Sequence, residues 1–269
     1  MGITTERELL DALRAAAEPA VHLIRSPGSG RSRLGGLPNL PQGVAWPTWH
    51  SKPLTFIAQL SLPELTQFAD VTGLPRTGCL FFFYDADANT WGFDPMDRGS
   101  WQVVYSEQPM PEARVETPQD PCSGWVFKPV PLQAKQILTF PTSERLPLDL
   151  SSVPTFAFES EYELRTQALG LHPAHQIGGL PLPVQTDGME LECQLVSHGL
   201  YCGDSRGYED PRAQELGPGA RDWRLLLQVD TDDDAEMMWG DSGRLYFWIR
   251  KADLNTKDFS NVWMVLQCS

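Results

Sequence analysis

The chain has 269 residues, 41% hydrophobic and 21% charged, a balance that suits a soluble globular protein of one large domain or two small ones. Its net charge of −14, with no cluster of Lys and Arg, excludes a nucleic-acid partner, because a phosphate backbone needs a basic face. The same charge admits a basic protein or a divalent cation.

In chain order, Thr5 and Glu8 form a capping box ahead of a helix whose one face carries Leu9, Leu10 and Leu13, and Pro19 is expected to end it. Charges run through its apolar positions, so the N-terminus reads as an amphipathic helix and not as a signal peptide. "AVHLIRS" reads as a strand and "PGSGRSR" as a loop. "LGGLPNLPQG" (34–43) leads into "VAWPTWHSKP", whose prolines forbid regular helix. "PLTFIAQLSL" (53–62) is a strand, and "LPELTQFADVTG" a short helix with Pro63 in its first turn and Gly73 at its C-cap. "GCLFFFYDAD" (78–87) is a strand apolar enough to be covered on both faces, and far too short to span a bilayer.

"SWQVVYS" predicts a strand, "EQPMPEARVETPQDPCSG" a proline-rich connection and "KQILTFPT" a further strand. "ESEYELRTQALG" predicts a helix closing at Gly170. Strands follow in "DWRLLLQVD" (222–230), "GRLYFWIRK" (243–251) and "VWMVLQC" (262–268), with a helical turn in "ADLNTKDFSN". The fold class is α+β and β-rich. Cys79, Cys122, Cys193, Cys202 and Cys268 form no Cys-x-x-Cys pair, which fits reduced thiols in a cytoplasm.

Gly-Gly-Leu-Pro occurs twice, at Gly35–Gly36 and again at Gly178–Gly179 ("IGGLPLPVQ", 177–185). Each copy is followed by an apolar strand carrying a glutamine (Gln59, Gln228), then a glycine, then an aromatic strand. Three signals in one order predict an internal duplication of two β-sheet units about a pseudo-two-fold axis. The expected halves of this single compact domain are 1–150, with the N-terminal helix, and 151–269, with an insertion near 189–221. A cleft between them is the default ligand site. At least one glycine of each pair is expected at positive φ, as a structural turn.

The segments "LGGLPNLPQGVAWP" (34–47), "PLTFIAQLSLPEL" (53–65), "GCLFFFYD" (78–85), "HQIGGLPLPVQ" (175–185), "LLLQVDTDDDAEMMWGDSGRLYFWIRKADL" (225–254) and "DFSNVWMVLQCS" (258–269) together resemble a bacterial family, DUF1963, also called YwqG-like. The resemblance implies a duplicated α+β fold and brings no activity, cofactor or catalytic residue. Some members are encoded near contact-dependent toxin systems, which implies a toxin-immunity type of binding role.

The acidic stretch 229–243 carries Asp230, Asp232, Asp234 and Asp241, oxygen donors of the kind Ca²⁺ or Mg²⁺ takes, although the spacing is not that of an EF-hand. "GDSG" around Ser242 lacks a catalytic histidine context and reads as a turn, and "HPAH" places His172 and His175 three apart without a third ligand. Gly35, Gly36, Trp46, Gln59, His175, Gly178, Gly179, Gln228 and Trp239 are the cleft candidates. No coherent catalytic set emerges, so the leading expectation is a cytoplasmic, non-enzymatic binding protein with a basic protein partner. The alternative is a divalent-cation-dependent enzyme or sensor acting on a small molecule in the inter-repeat cleft.

Overall fold

In the computed structural model, which describes residues 3–28, 30–87, 90–115, 126–170 and 172–269, Thr5 caps the first helix as its sequence requires. The Glu8 amide donates to the Thr5 hydroxyl and the Glu8 carboxylate accepts from the Thr5 amide, so two free helix donors are satisfied reciprocally. The helix runs Glu6–Ala15 and buries Leu9 and Leu13 against Ala157 and Leu164 of a second helix, Ala157–Gln167. It ends before Pro19, which lies instead inside the first strand.

The strands are β1 (Glu18–Arg25), β2 (Arg33–Leu34), β3 (Thr48–Trp49), β4 (Lys52–Pro53), β5 (Thr55–Ser61), β6 (Cys79–Tyr84), β7 (Trp101–Ser106), β8 (Val130–Thr139), β9 (Gln176–Ile177), β10 (Trp223–Asp230), β11 (Arg244–Arg250) and β12 (Trp263–Gln267). β3 and β4 form a separate hairpin; the other ten make one antiparallel sheet in the order β12-β11-β10-β9-β1-β8-β2-β5-β6-β7. The protein is therefore β-rich α+β, with several short helices. β8 begins five residues earlier than the hydropathy pattern of 135–142 predicts, because Val130 and Pro131 pair with β2. The connection after β7 lies partly outside the described residues, Cys122 included.

The sheet bends until it is nearly a barrel. Phe82 of β6 meets Phe247 of β11 edge to face at 5.2 Å, and Trp101 of β7 meets Trp263 of β12 at 4.9 Å. The Trp101 indole donates to Val262 O, and the Trp263 indole to Gly92 O, fastening the two ends together across the core. In β6, Leu80, Phe82 and Tyr84 enter this core, while Cys79, Phe81 and Phe83 face a second cluster with Leu40, Leu54 and Phe56, covered by Trp46 and Trp49. Both faces are thus buried, as its composition predicts.

The strand order reads alike from both ends, β1-β9-β10-β11-β12 against β8-β2-β5-β6-β7. Hydrogen bonds match as well. Gln59 accepts from the Asn39 amide and donates to Arg31 O; Gln228 accepts from the Leu182 amide and donates to Ala174 O. Those partners lie four residues after and four before the first glycine of each pair. The Leu132 amide donates to Ser32 O, and the Leu23 amide to His175 O. The β5–β6 register shifts between Phe56 and Ala58, and the β10–β11 register between Leu225 and Leu227.

Candidate functional site

All four glycines of the two pairs have positive φ, between +56° and +72°. A Cβ on Gly35 would lie 2.3 Å from Lys128 O, and one on Gly179 2.6 Å from Ala20 Cβ and Thr139 Oγ1, so side chains are excluded by contact as well as by conformation. The first pair is closed over: Gly36 donates to Phe127 O, and the segment 127–129 packs against the turn. Beyond the second pair the chain stays open. Gly179 and Leu180 border a cavity of ≈ 430 Å³, a size that suits a small molecule.

The other candidate residues fall into three places. Gln59 and Gln228 are fully buried staples between strand and loop. Trp46 is half-buried on the outer face of the sheet, edge to face with Phe83, and donates to Leu54 O. Trp239 is a core residue between Tyr84 and Phe127, and donates to Asp230 O.

His175 joins the acidic stretch through a buried network. The Asp230 amide donates to His175 Nδ1 at 3.0 Å, which leaves the proton on Nε2, 3.0 Å from Asp232 Oδ2. Asp232 Oδ1 accepts from the Asp234 and Ala235 amides. Burial would raise the Asp232 carboxyl, but the His175 hydrogen bond, with those amides, holds it below its ordinary value. Asp230 accepts from Arg244 Nε at 2.7 Å and from the Ala174 amide. Burial would also weaken the Arg244 cation; the Asp230 charge, with Tyr246, outweighs it and raises the group.

Asp234 pairs at the surface with Arg25, and Asp241 accepts through its backbone carbonyl from Ser269. The carboxylates of Asp230, Asp232 and Asp234 therefore have separate partners, and Asp241 is engaged through its backbone. Among the described residues no group of three or more His, Cys, Asp or Glu could hold a metal ion. Ser242 sits at φ 53° in the turn before β11. His172 stands edge to face with His22, whose imidazole is lowered by burial, partly offset by its hydrogen bond to Pro173 O.

The cavity beside Gly179 gathers residues with no common motif. Arg145 follows β8, Ala220 and Arg221 come from the turn Gly217–Asp222, Trp223, Arg224 and Leu225 from β10, Trp248 from β11, and Lys251 opens the helix Lys251–Thr256. Glu18 and Glu190 complete the charged lining. Arg145 is matched already, bidentate to Glu190 at 2.8 and 3.0 Å and bonded to Asp187; burial would lower it, and the two carboxylates raise it. Lys251 donates to Arg221 O. The guanidinium groups of Arg221 and Arg224 have no carboxylate or hydrogen-bond partner among the described residues. Sequence reasoning did not find this site, because its cations are spread from 145 to 251 and each looks like an ordinary surface residue.

Each of the two register shifts stands beside a pair of large apolar residues. Phe56 pairs with Phe83 beside one register shift, and Leu225 pairs with Trp248 beside the other. Trp46, Trp49 and Leu40 cover the first pair. Over the second pair the roof is the helix Met189–Ser197 and the turn Gly217–Asp222, and it leaves the space unfilled.

A single bent antiparallel sheet, with an open cation-lined cavity on one outer face, defines the class. The chain belongs to the family described as "Domain of unknown function (DUF1963)", whose model matches residues 32–268. No curated protein matches it. Among the described residues no helix is long and apolar enough to cross a membrane.

Proposed function

We propose that this chain is a non-enzymatic binding protein whose ligand site is the cavity beside Gly179. The observation that carries the reading is how polar groups are used. His175, Asp230, Asp232, Gln59 and Gln228 are buried and hydrogen-bonded within the chain, whereas Arg221 and Arg224 line an open cavity without partners among the described residues. Groups held in structural bonds are poor candidates for proton transfer or nucleophilic attack. Free thiols at Cys79, Cys193, Cys202 and Cys268 support a reducing compartment, the cytoplasm.

The reading includes an internal duplication about a pseudo-two-fold axis. It is supported by the mirrored strand order, the two glutamine staples and the two register shifts. On this reading the units are 18–106 and 130–267, so β8 opens the second unit and does not close the first. β1 then pairs with β9 of the second unit, and β8 with β2 of the first, as exchanged strands. The cavity lies where the second unit replaces the covering hairpin with its insertion.

Native mass spectrometry tests the site. Protein prepared at low salt from its native cells should retain a small molecule, and Ala220→Trp, which fills the cavity, should lose it while keeping its circular dichroism. No retained mass, or equal retention by the variant, overturns the assignment.

One surface favours a protein partner as a second reading. Phe156, Phe158 and Tyr162 are exposed at 56%, 40% and 59% on or beside the helix Ala157–Gln167, together with exposed Glu159 and Glu163. Aromatic anchors among carboxylates suit a basic protein, of which a toxin is one version. Recovery of no stoichiometric protein in a low-salt pull-down counts against it.

A further inference from the structure

We propose that the cavity beside Gly179 binds a small phosphate-bearing anion, held by Arg221, Arg224 and Lys251. This inference rests on the cavity being the ligand site and names the chemistry it takes.

The charge census points to it first. Acidic residues outnumber basic ones by 35 to 21, so a cation on this surface meets carboxylates more often than not. Several do so, among them Arg25 with Asp234, Arg31 with Glu112, Arg76 with Asp70, Lys128 with Glu236 and Lys257 with Glu107. Yet four of the 21 cations line one cavity, against two carboxylates, Glu18 and Glu190. Glu190 is taken by Arg145. Arg221, Arg224 and Lys251 share the rest of the lining with Glu18, the Arg224 guanidinium reaching the edge beside Gly73, and none of the three has an ion pair among the described residues. Three such cations match the double charge of a phosphoryl group better than a single carboxylate, and guanidinium forks fit its oxygens in pairs.

The construction of the wall points the same way. Lys251 Nζ donates to Arg221 O at 2.8 Å, which ties the turn Gly217–Asp222 to the helix Lys251–Thr256 and holds the Lys251 ammonium at the backbone of Arg221. Trp223 is held by its hydrogen bond to Gln194 and by Arg250 stacked at 4.7 Å, so the strand that carries Arg224 starts from a rigid base. The apolar side of the cavity is Trp223, Leu225 and Trp248. A charged head at the Arg221–Arg224–Lys251 rim and an apolar body against the indoles is the arrangement the lining accommodates.

Titration calorimetry with inorganic pyrophosphate at low ionic strength, repeated with citrate, tests this. Pyrophosphate should bind with a submillimolar Kd that weakens with added salt, and Arg221→Gln and Arg224→Gln should each weaken it at least tenfold. Arg7→Gln, in an exposed helix far along the chain, should leave it unchanged. Citrate bound more tightly than pyrophosphate, affinity unaffected by both glutamine variants, or no heat at millimolar pyrophosphate overturns the proposal. A neutral or cationic molecule retained by the wild type and lost in Ala220→Trp would leave the cavity as the ligand site and remove only its anion chemistry.

Discussion

Gly35 and Gly178 occupy the same left-handed region, at φ +56° and +66°, but their surroundings differ. A methyl group on Gly35 meets Lys128 O at 2.3 Å, whereas on Gly178 nothing lies closer than 3.9 Å. Gly178→Ala should therefore cost only the conformational term, about 1–2 kcal/mol. Gly35→Ala adds displacement of the 127–129 segment and should cost about 3 kcal/mol or more. Urea unfolding of both variants checks the ranking, and equal losses would mean that conformation alone requires glycine. Glu192 gives a pH-dependent test at the same scale. It is 7% exposed, one of its oxygens has no partner among the described residues, and burial, reinforced by Glu190 and Asp187, pushes its carboxyl up to about 7 against the ordinary 4.5. Between those values the folded chain holds a proton that the unfolded chain has lost. The contribution is thus full below pH 4.5 and is lost as pH rises through 7, costing about 2–3 kcal/mol by pH 8. Glu192→Gln should flatten that decline and raise the Tm at pH 8 more than at pH 5; an equal shift at both would place the carboxylate in solvent.

At the scale of elements, the two glutamine staples join β5 and β10 to the loops that follow the Gly-Gly pairs. Gln59→Leu strands the Asn39 amide and Arg31 O, and Gln228→Leu strands the Leu182 amide and Ala174 O, all otherwise satisfied by one side chain. Each variant should lose about 2–4 kcal/mol, and hydrogen exchange should accelerate at Asn39 in the first and at Leu182 in the second. A neutral Gln59→Leu would show that water replaces the staple. These glutamines were legible as a repeated feature because they stand at one place in an apolar strand, but spacing alone could not tell a staple from a ligand contact. The strands themselves were legible from hydropathy, and the first helix from Thr5 and Glu8. The start of β8 was not, since "PVPLQA" carries prolines and pairs only because β2 lies beside it. Nor was the task of Trp46 and Trp239: both fall between predicted strands, and only the curvature of the sheet shows which outer or inner face each one closes.

At the scale of the molecule, the middle of the sheet decides how the chain holds together. β1 and β8 pair over eight residues, from Glu18 with Thr139 to Arg25 with Leu132. On their other edges β1 pairs with β9, and β8 with β2. Each strand thus completes a sheet whose remaining members come from the other end of the chain, an arrangement no local pattern could display. Residues 1–115 alone would leave β2 without its β8 neighbour and β1 without both of its own, exposing backbone donors and acceptors that water must satisfy. The core suffers equally, because Phe82 and Trp101 from that fragment pack on Phe247 and Trp263 of the other. Fragments 1–115 and 126–269 should therefore be unfolded or aggregated when made singly. Co-expressed, they should purify as a one-to-one complex with the far-UV circular dichroism of the intact chain. The complex should unfold in one concentration-dependent transition, since association and folding are then the same event. Two fragments that each melt cooperatively as monomers would mean that the ends of the sheet are independent domains, and that the β1–β8 seam is only a docking contact between them.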